Sequence, residues 1–224
     1  AELALQTAHT LHKTYFHKLE PFDRLRSLYL IGYSSLIAAE YDQCEAFTQK
    51  ALEIARPLGN DLLEEVLLII LSKAEFIQGK LEQSYQHVTR ALKSAESANR
   101  KLNIISANCV LGDIFRVIDG NRTALQHYRI AQIREGFSSI SFFGIENNIH
   151  LSNYLFTVNQ TEEAKKILQQ YLPIAKKYDL GLFYIQGLLS LGAWNIDNGN
   201  LSAAEKSFSS AIKLAEEKGL LHEL

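Results

Sequence analysis

Apolar residues recur along this chain at three- and four-residue intervals, in blocks separated by short polar or glycine-bearing breaks. That spacing puts them on one stripe of a helix. Residues 2–18 form the first block, with Leu5, Ala8, Leu11 and Tyr15 on the stripe. Glu20-Pro21-Phe22-Asp23 ends it, since a proline disfavours helix in the residue before it, and Asp23 is the expected N-cap of the next helix. Further helices are expected to about Ala38, from about Tyr41 to Pro57, and over 62–78, 81–98, 102–118, 123–135, 142–158, 161–178, 182–196 and 202–218. Breaks at Gly79, at Asp119-Gly120-Asn121 and at Asp197-Asn198-Gly199-Asn200 are turn signals. Gly136-Phe137-Ser138-Ser139 is the least regular junction. Thr161-Glu162-Glu163 offers a capping hydroxyl and two carboxylates at a helix start, where the dipole favours negative charge.

The blocks keep a common register. Small residues fall at Ala4, Cys44, Ser84, Ala124, Ala164 and Ala204, each forty positions from the last. Seven further on stand Leu11, Ala51, Ala91, Ala131, Tyr171 and Ala211, and twelve earlier Gly32, Ser72, Gly112, Ser152 and Gly192. A fixed step with small residues in three columns marks stacked helical hairpins. A mid-helix glycine costs about 1 kcal/mol against alanine, so three at one step imply close packing. The expected reason is that Gly32, Gly112 and Gly192 let each first helix press on its partner where Ala124 or Ala204 has no bulk. Tyr171 in the alanine column predicts a wider crossing in the fourth unit.

Leu191-Gly192, Gly199, Leu201, Ala204, Phe208 and Ala211 show the motif most fully. It resembles the tetratricopeptide repeat (TPR), with a step of forty in place of about 34. The longer step is similar to the arrays of the bacterial maltose-regulon activator and related signalling ATPases, of kinesin light chains, and of Gram-positive peptide-pheromone receptors. This resemblance implies an all-α, right-handed α-solenoid superhelix of stacked antiparallel helix pairs, with about 11 helices. It also implies that first helices line a concave groove for a peptide, protein or small effector. The expected organisation is a single array over 1–224. It has an orphan second helix at 2–18, repeats at about 22–60, 62–100, 102–140, 142–180 and 182–219, and the start of another helix at 220–224. Because no Met occurs and the repeats begin and end out of phase, the chain is expected to be a piece of something longer.

Composition narrows the partners. With 47% hydrophobic residues and a net charge of −2, the chain has material for a continuous core and no basic field for nucleic acid or an anionic membrane. No apolar run approaches the roughly 20 residues needed to span a bilayer. Two cysteines, Cys44 and Cys109, make no disulfide framework, and a cytoplasmic setting follows from that. Cys44 reads as buried packing. His87 and His127 read as solvated, and the His9/His12 pair lacks further metal ligands. No phosphate-binding, zinc-protease or nucleophile-elbow motif is present, so no catalytic residue, metal or cofactor is expected.

In a TPR groove the position after the Gly/Ser column faces inward. Here it reads Tyr33, Lys73, Asp113, Asn153 and Ala193. Arg116 lies three residues past Asp113, within ion-pair reach, and Arg26 and Glu146 stand one heptad before the ladder in their helices. The candidate groove set is therefore Arg26, Tyr33, Lys73, Asp113, Arg116, Glu146 and Asn153, with Asn153 gripping a peptide backbone through its amide. The competing reading is a solvated face with internal ion pairs. Glu146-Asn147-Asn148-Ile149-His150 is read as either a polar cluster at mid-groove or capping and exposure. Trp194 is expected to pack. Two functions remain: a peptide- or protein-binding sensor or scaffold module of a larger cytoplasmic regulator, or a structural array that self-associates end to end. The second is suggested by the apolar face Leu201, Phe208, Ile212 and Ala215 on the last helix.

Overall fold

The computed structural model describes residues 10, 13–14, 16–118, 121–135 and 141–220, without the side chains of 121 and 133–135. The orphan helix, the Asp119-Gly120 turn, the Gly136–Ser139 junction and residues 221–224 lie largely or wholly outside that set. After a 3₁₀ turn at Phe16–Lys18 come ten helices: α1 Pro21–Ile37, α2 Tyr41–Ala55, α3 Asp61–Ile77, α4 Leu81–Ser97, α5 Lys101–Ile118, α6 Asn121–Glu135, α7 Phe142–Thr157, α8 Thr161–Lys177, α9 Gly181–Asp197 and α10 Leu201–Lys218. No strand occurs among the described residues.

One backbone device explains the step of forty. Residues 39, 59, 79, 99, 159, 179, 199 and 219 all have positive φ, so the described helix ends repeat every twenty residues. At each, the next N–H reaches back five residues to a carbonyl, as in Glu40 N to Ser35 O (2.9 Å), Lys80 N to Glu75 O (2.8 Å) and Asn200 N to Asn195 O (2.8 Å). These are Schellman closures, which satisfy carbonyls that a helix end leaves open. Turns within and between pairs are thus the same turn, and two identical half-steps make one repeat.

Two expected caps are displaced. Helix α1 begins at Pro21 with Glu20 at the N-cap, so Asp23 lies inside the first turn. Proline fits there because its missing N–H is one no helix start needs. Likewise Gln160 is the N-cap of α8, and Thr161 is its first helical residue. Side-chain caps are made by Asn60, whose Oδ1 accepts from Leu63 N at 3.1 Å, and by Ser141, whose Oγ accepts from Gly144 N at 3.0 Å.

Within each pair the glycines do something other than face alanine. A Cβ on Gly112 would stand 2.5 Å from the Tyr128 ring, and one on Gly192 2.5 Å from the Phe208 ring. On Gly32 it would meet Thr48 Oγ1 at 2.5 Å. Each glycine is a socket for the residue four past the small column. Where Ser72 replaces glycine, the matching position is Val88 and the helices are tied by hydroxyls: Ser72 Oγ to Ser84 O, 2.9 Å, and Ser84 Oγ to Ser72 O, 2.8 Å.

The odd-numbered helices touch their own partner, the preceding even-numbered helix and the neighbouring odd-numbered helices, whereas even-numbered helices make no comparable contact with one another. The odd layer is therefore the inner one, and the stack curves around it. The curl is tight enough that Ile37, at the end of α1, packs against the Ile185, Leu188 and Leu220 cluster of the fifth pair.

Candidate functional site

The inner wall carries nearly all the buried polarity. Among the described residues, every buried polar or charged side chain except Thr48 and Ser84 stands on an odd-numbered helix. Some of it fastens neighbouring repeats. Glu65, 1% exposed, accepts from Ser94 Oγ (2.6 Å), Asn103 Nδ2 (2.7 Å) and Arg100. Some ties an inner helix to an even-numbered one, as Ser72 does to Ser84, and some lines the concave side.

Tyr33 is stacked on Tyr29, ring centroids 6.3 Å apart, and burial pushes its hydroxyl above the usual range. Both rings, with Val66, Ile70, Phe142 and Phe143, wall an apolar cavity of about 170 Å³. Lys73, Asn103 and Ser106 supply its polar points. Lys73 Nζ donates to Glu146 Oε1 at 2.5 Å, from α3 to α7 across the intervening α5. Burial pulls the Lys73 ammonium down, but Glu146, with smaller help from Cys109 and Tyr33, leaves the group above its ordinary value. Glu146 Oε2 and Ser106 Oγ are buried without a hydrogen-bond partner.

Asp113 does not pair with Arg116 as the i, i+3 spacing suggested. Its carboxylate accepts from Tyr128 Oη at 2.6 Å and lies 2.8 and 3.0 Å from His150 Nδ1. Burial pushes the Asp113 carboxyl up, yet His150 and these bonds hold it below its ordinary value. Burial opposes the charge on His150 too, and Asp113 together with the Cys109 sulfur reverses that, placing the imidazole well above the usual histidine range. Arg116 is exposed and makes no ion pair among the described residues. Asp113, Arg116, His150, Asn153, Gln186 and Ser190 line a second, polar pocket of about 290 Å³. There Asn153 Oδ1 accepts from Ser190 Oγ. Arg26 is exposed on α1 and lines neither cavity.

The seven candidate positions thus fall into two groups and one outlier: Tyr33 and Lys73 at the apolar cavity, with Glu146 joined to it through Lys73; Asp113, Arg116 and Asn153 at the polar pocket; and Arg26 apart. Glu146, Asn147 and Asn148 are buried inside α7, so capping and exposure do not describe them. Asn147 Nδ2 donates to Tyr128 O at 3.1 Å, and Asn148 joins Gln132 Nε2 at 3.0 Å. His87 and His127 are half-buried and paired, where full solvation was expected. His87 Nδ1 sits 2.8 Å from Glu75 Oε2, and His127 Nδ1 sits 2.9 Å from Asn108 Oδ1 with its ring stacked on Phe115. Each turns back onto the first helix of its own pair, and burial lowers the His127 pKa. Trp194 packs, stacked on Phe156 with Lys165 Nζ 3.9 Å from its ring centroid.

Cys109 and Ser190 were missed as site residues; His150 was read only as the end of a polar cluster, and Gln186 stood outside the candidate set. A signal existed. Asp113 meets His150 and Asn153 meets Ser190 at the same separation of 37, one repeat less one helical turn. Reading the ladder against the position one turn earlier in the next repeat finds both. Cys109 shares a face with Asp113 at i, i+4, and its ordinary thiol pKa is raised, chiefly by burial. Burial likewise pushes the Cys44 thiol up to about 12, against a smaller downward effect of Thr48.

No family model and no curated protein sequence matches the chain. Solved structures do. A Rap protein complexed with Competence and Sporulation Factor is similar over 99% of this chain and 71% of its own, with a TM-score of 0.74 and 10% identity. The apo form of RapI is similar over 96% and 92%, with a TM-score of 0.68 and 12% identity. BtubC (BKLC) from P. vanneervenii is similar over 97% and 89%, with a TM-score of 0.64 and 15% identity. The fold is a TPR-like helical-repeat solenoid. At such identities the likeness extends to the fold alone, and it singles out no one branch of the long-repeat arrays. No described helix is long and apolar enough to cross a membrane.

Proposed function

We propose that the concave side of this solenoid binds an extended peptide, and that the array serves as the sensor or scaffold of a larger cytoplasmic regulator. The observation that carries the reading is the polar pocket on three successive inner helices, where Arg116, Asn153 and Gln186 flank the Asp113–His150 floor. A solvated face with satisfied internal pairs has no use for an exposed arginine, without an ion pair among the described residues, beside the Asn153 amide. Asn153 gives its carbonyl to Ser190, so its amide nitrogen is the group left for a peptide carbonyl. Arg116 is suited to an acidic side chain or a terminal carboxylate. The apolar cavity beside Tyr33 and Phe142 takes a hydrophobic side chain, giving the two kinds of contact that peptide grooves combine. One structural neighbour, a Rap protein, holds a bound factor, which supports the same use of the fold.

The test is a screen of arrayed synthetic hexapeptides against the purified chain, followed by titration of the best binder. Replacing Arg116 and Asn153 together by alanine should weaken that binder at least about tenfold, or about 1.4 kcal/mol, with helicity unchanged. Equal affinity in the double variant removes the groove assignment.

A self-associating array is favoured by one feature. On α10, Leu201 is 68% exposed and Ile212 44%, whereas Ala215 is buried under Leu220 and Ile185. If that face is an interface, sedimentation mass rises with concentration and Leu201→Lys abolishes the rise.

A further inference from the structure

Three different donor types meet where α5 faces α7. A Cys109 sulfur, an Asp113 carboxylate oxygen and a His150 ring nitrogen all lie within 4.8 Å of one another. We propose that Cys109, Asp113 and His150 form a binding site for a divalent transition-metal ion, zinc before others, with its fourth coordination position on the side of the polar pocket.

The donor set chooses the ion. Thiolate, imidazole and carboxylate together suit zinc and its tetrahedral relatives, whereas calcium and magnesium take oxygen ligands. The scaffold is rigid. Cys109 and Asp113 come from one face of α5, one turn apart, and His150 comes from the middle of α7. Cys109 is 1% and Asp113 8% exposed, so bulk water does not compete freely for the donors.

An outer contact is already in place. Tyr128 Oη donates to Asp113 Oδ1 at 2.6 Å, and the Tyr128 ring is itself seated in the Gly112 socket. Metal-ligating groups need such partners to fix their orientation. Tetrahedral ligands at about 2.0–2.3 Å from zinc are about 3.3–3.7 Å apart, so the widest donor separation must close by about 1 Å. Side-chain rotation supplies that. Asp113 and His150 both line the polar pocket, which leaves room for a water or ligand oxygen as the fourth ligand.

Binding needs the Cys109 thiolate and an unprotonated His150 ring nitrogen, so the protons these groups carry leave as the ion enters, and affinity rises with pH.

The test is titration of tag-free, reduced protein with cobalt(II), then with zinc. The expected result is one equivalent of cobalt with a thiolate-to-metal charge-transfer band and the visible bands of a tetrahedral site, both lost on adding zinc. Zinc should also raise the unfolding temperature. Cys109→Ala and His150→Gln should each lose the charge-transfer band or its stoichiometry, while Cys44→Ala keeps both. Circular dichroism confirms that each variant folds, and His150→Gln stands if Cys109→Ala does not. A wild type without the charge-transfer band, a band that survives in Cys109→Ala, or binding indifferent to His150→Gln overturns the proposal. None of these readouts depends on peptide binding, so this site and the peptide reading can fail separately.

Discussion

Two charge pairs cross the inner wall, and they are built differently. Asp113 and His150 join adjacent inner helices, and both carboxylate oxygens have partners, one of them the Tyr128 hydroxyl at 2.6 Å. Lys73 and Glu146 reach over α5 between helices two repeats apart, and only one Glu146 oxygen is used. Buried polar groups stabilise when every member is satisfied and cost when one is not. The first pair is therefore a fixed floor under the polar pocket. The second is a strut beside an apolar cavity that also holds the unpartnered Ser106 hydroxyl. Positions that look equivalent on a sequence ladder are thus unequal in energy. The difference comes from what the neighbouring even-numbered helix offers: Tyr128 on α6 supports Asp113.

The largest expected effect is at the fixed floor. Asp113→Ala leaves the half-buried His150 and the buried Tyr128 hydroxyl without their shared acceptor. A destabilisation of about 3–5 kcal/mol is expected in urea unfolding, the usual cost of removing one partner of a buried pair. A loss under about 1 kcal/mol, the scale of an exposed pair, would make the two pairs alike.

At the strut the expectation reverses when both partners go. Lys73→Met alone strands the Glu146 carboxylate, whose side chain is 10% exposed, and should destabilise by a few kcal/mol, order of magnitude. Adding Glu146→Leu should restore stability to within about 1 kcal/mol of the parent, because an apolar pair fits a cavity already walled by aromatic rings. Unfolding free energies of the two singles and the double complete the cycle. A double variant that stays as unstable as either single would show that this pair contributes net stability over its apolar replacement, and the contrast with Asp113–His150 would close.

The helices and their stacking were legible because the forty-step register is written in residue size. Small residues at Cys44, Ser84, Ala124, Ala164 and Ala204 can be seen without knowing what they touch. What the glycines accommodate was not legible: the ring of Tyr128 or Phe208 lies one turn beyond the column it was expected to meet. The inner face of the groove could be read from the ladder, since one helical face suffices for that. Partner choice could not, because it depends on the offset between neighbouring helices. Asp113 has Arg116 within reach along its own helix and His150 across from it. The partner across lies deeper, where Tyr128 also points. His87 and His127 mislead for a related reason. An even-numbered helix has one solvent face, but its flanks turn back onto Glu75 and Asn108 of the inner layer.

The smallest expected effect lies outside both pairs and calibrates them. Ala39 ends α1 with φ +59°, the conformation that Gly59, Gly79, Gly199 and Gly219 adopt at equivalent turns. A Cβ in that region costs about 1–2 kcal/mol, partly offset by the extra freedom glycine has in the unfolded chain, about 0.4–1 kcal/mol. Ala39→Gly should therefore stabilise by up to about 1 kcal/mol, read as a higher urea midpoint at constant slope. The closure itself should persist, since Glu40 N still reaches Ser35 O, a bond that needs no side chain. Distant changes add, so the Asp113→Ala loss and the Lys73/Glu146 cycle should be the same in this background. If Ala39→Gly destabilises instead, the Ala39 methyl must be packing in the shallow pocket it shares with Tyr41 and Gln78, and strain at this turn is less than its backbone angle implies.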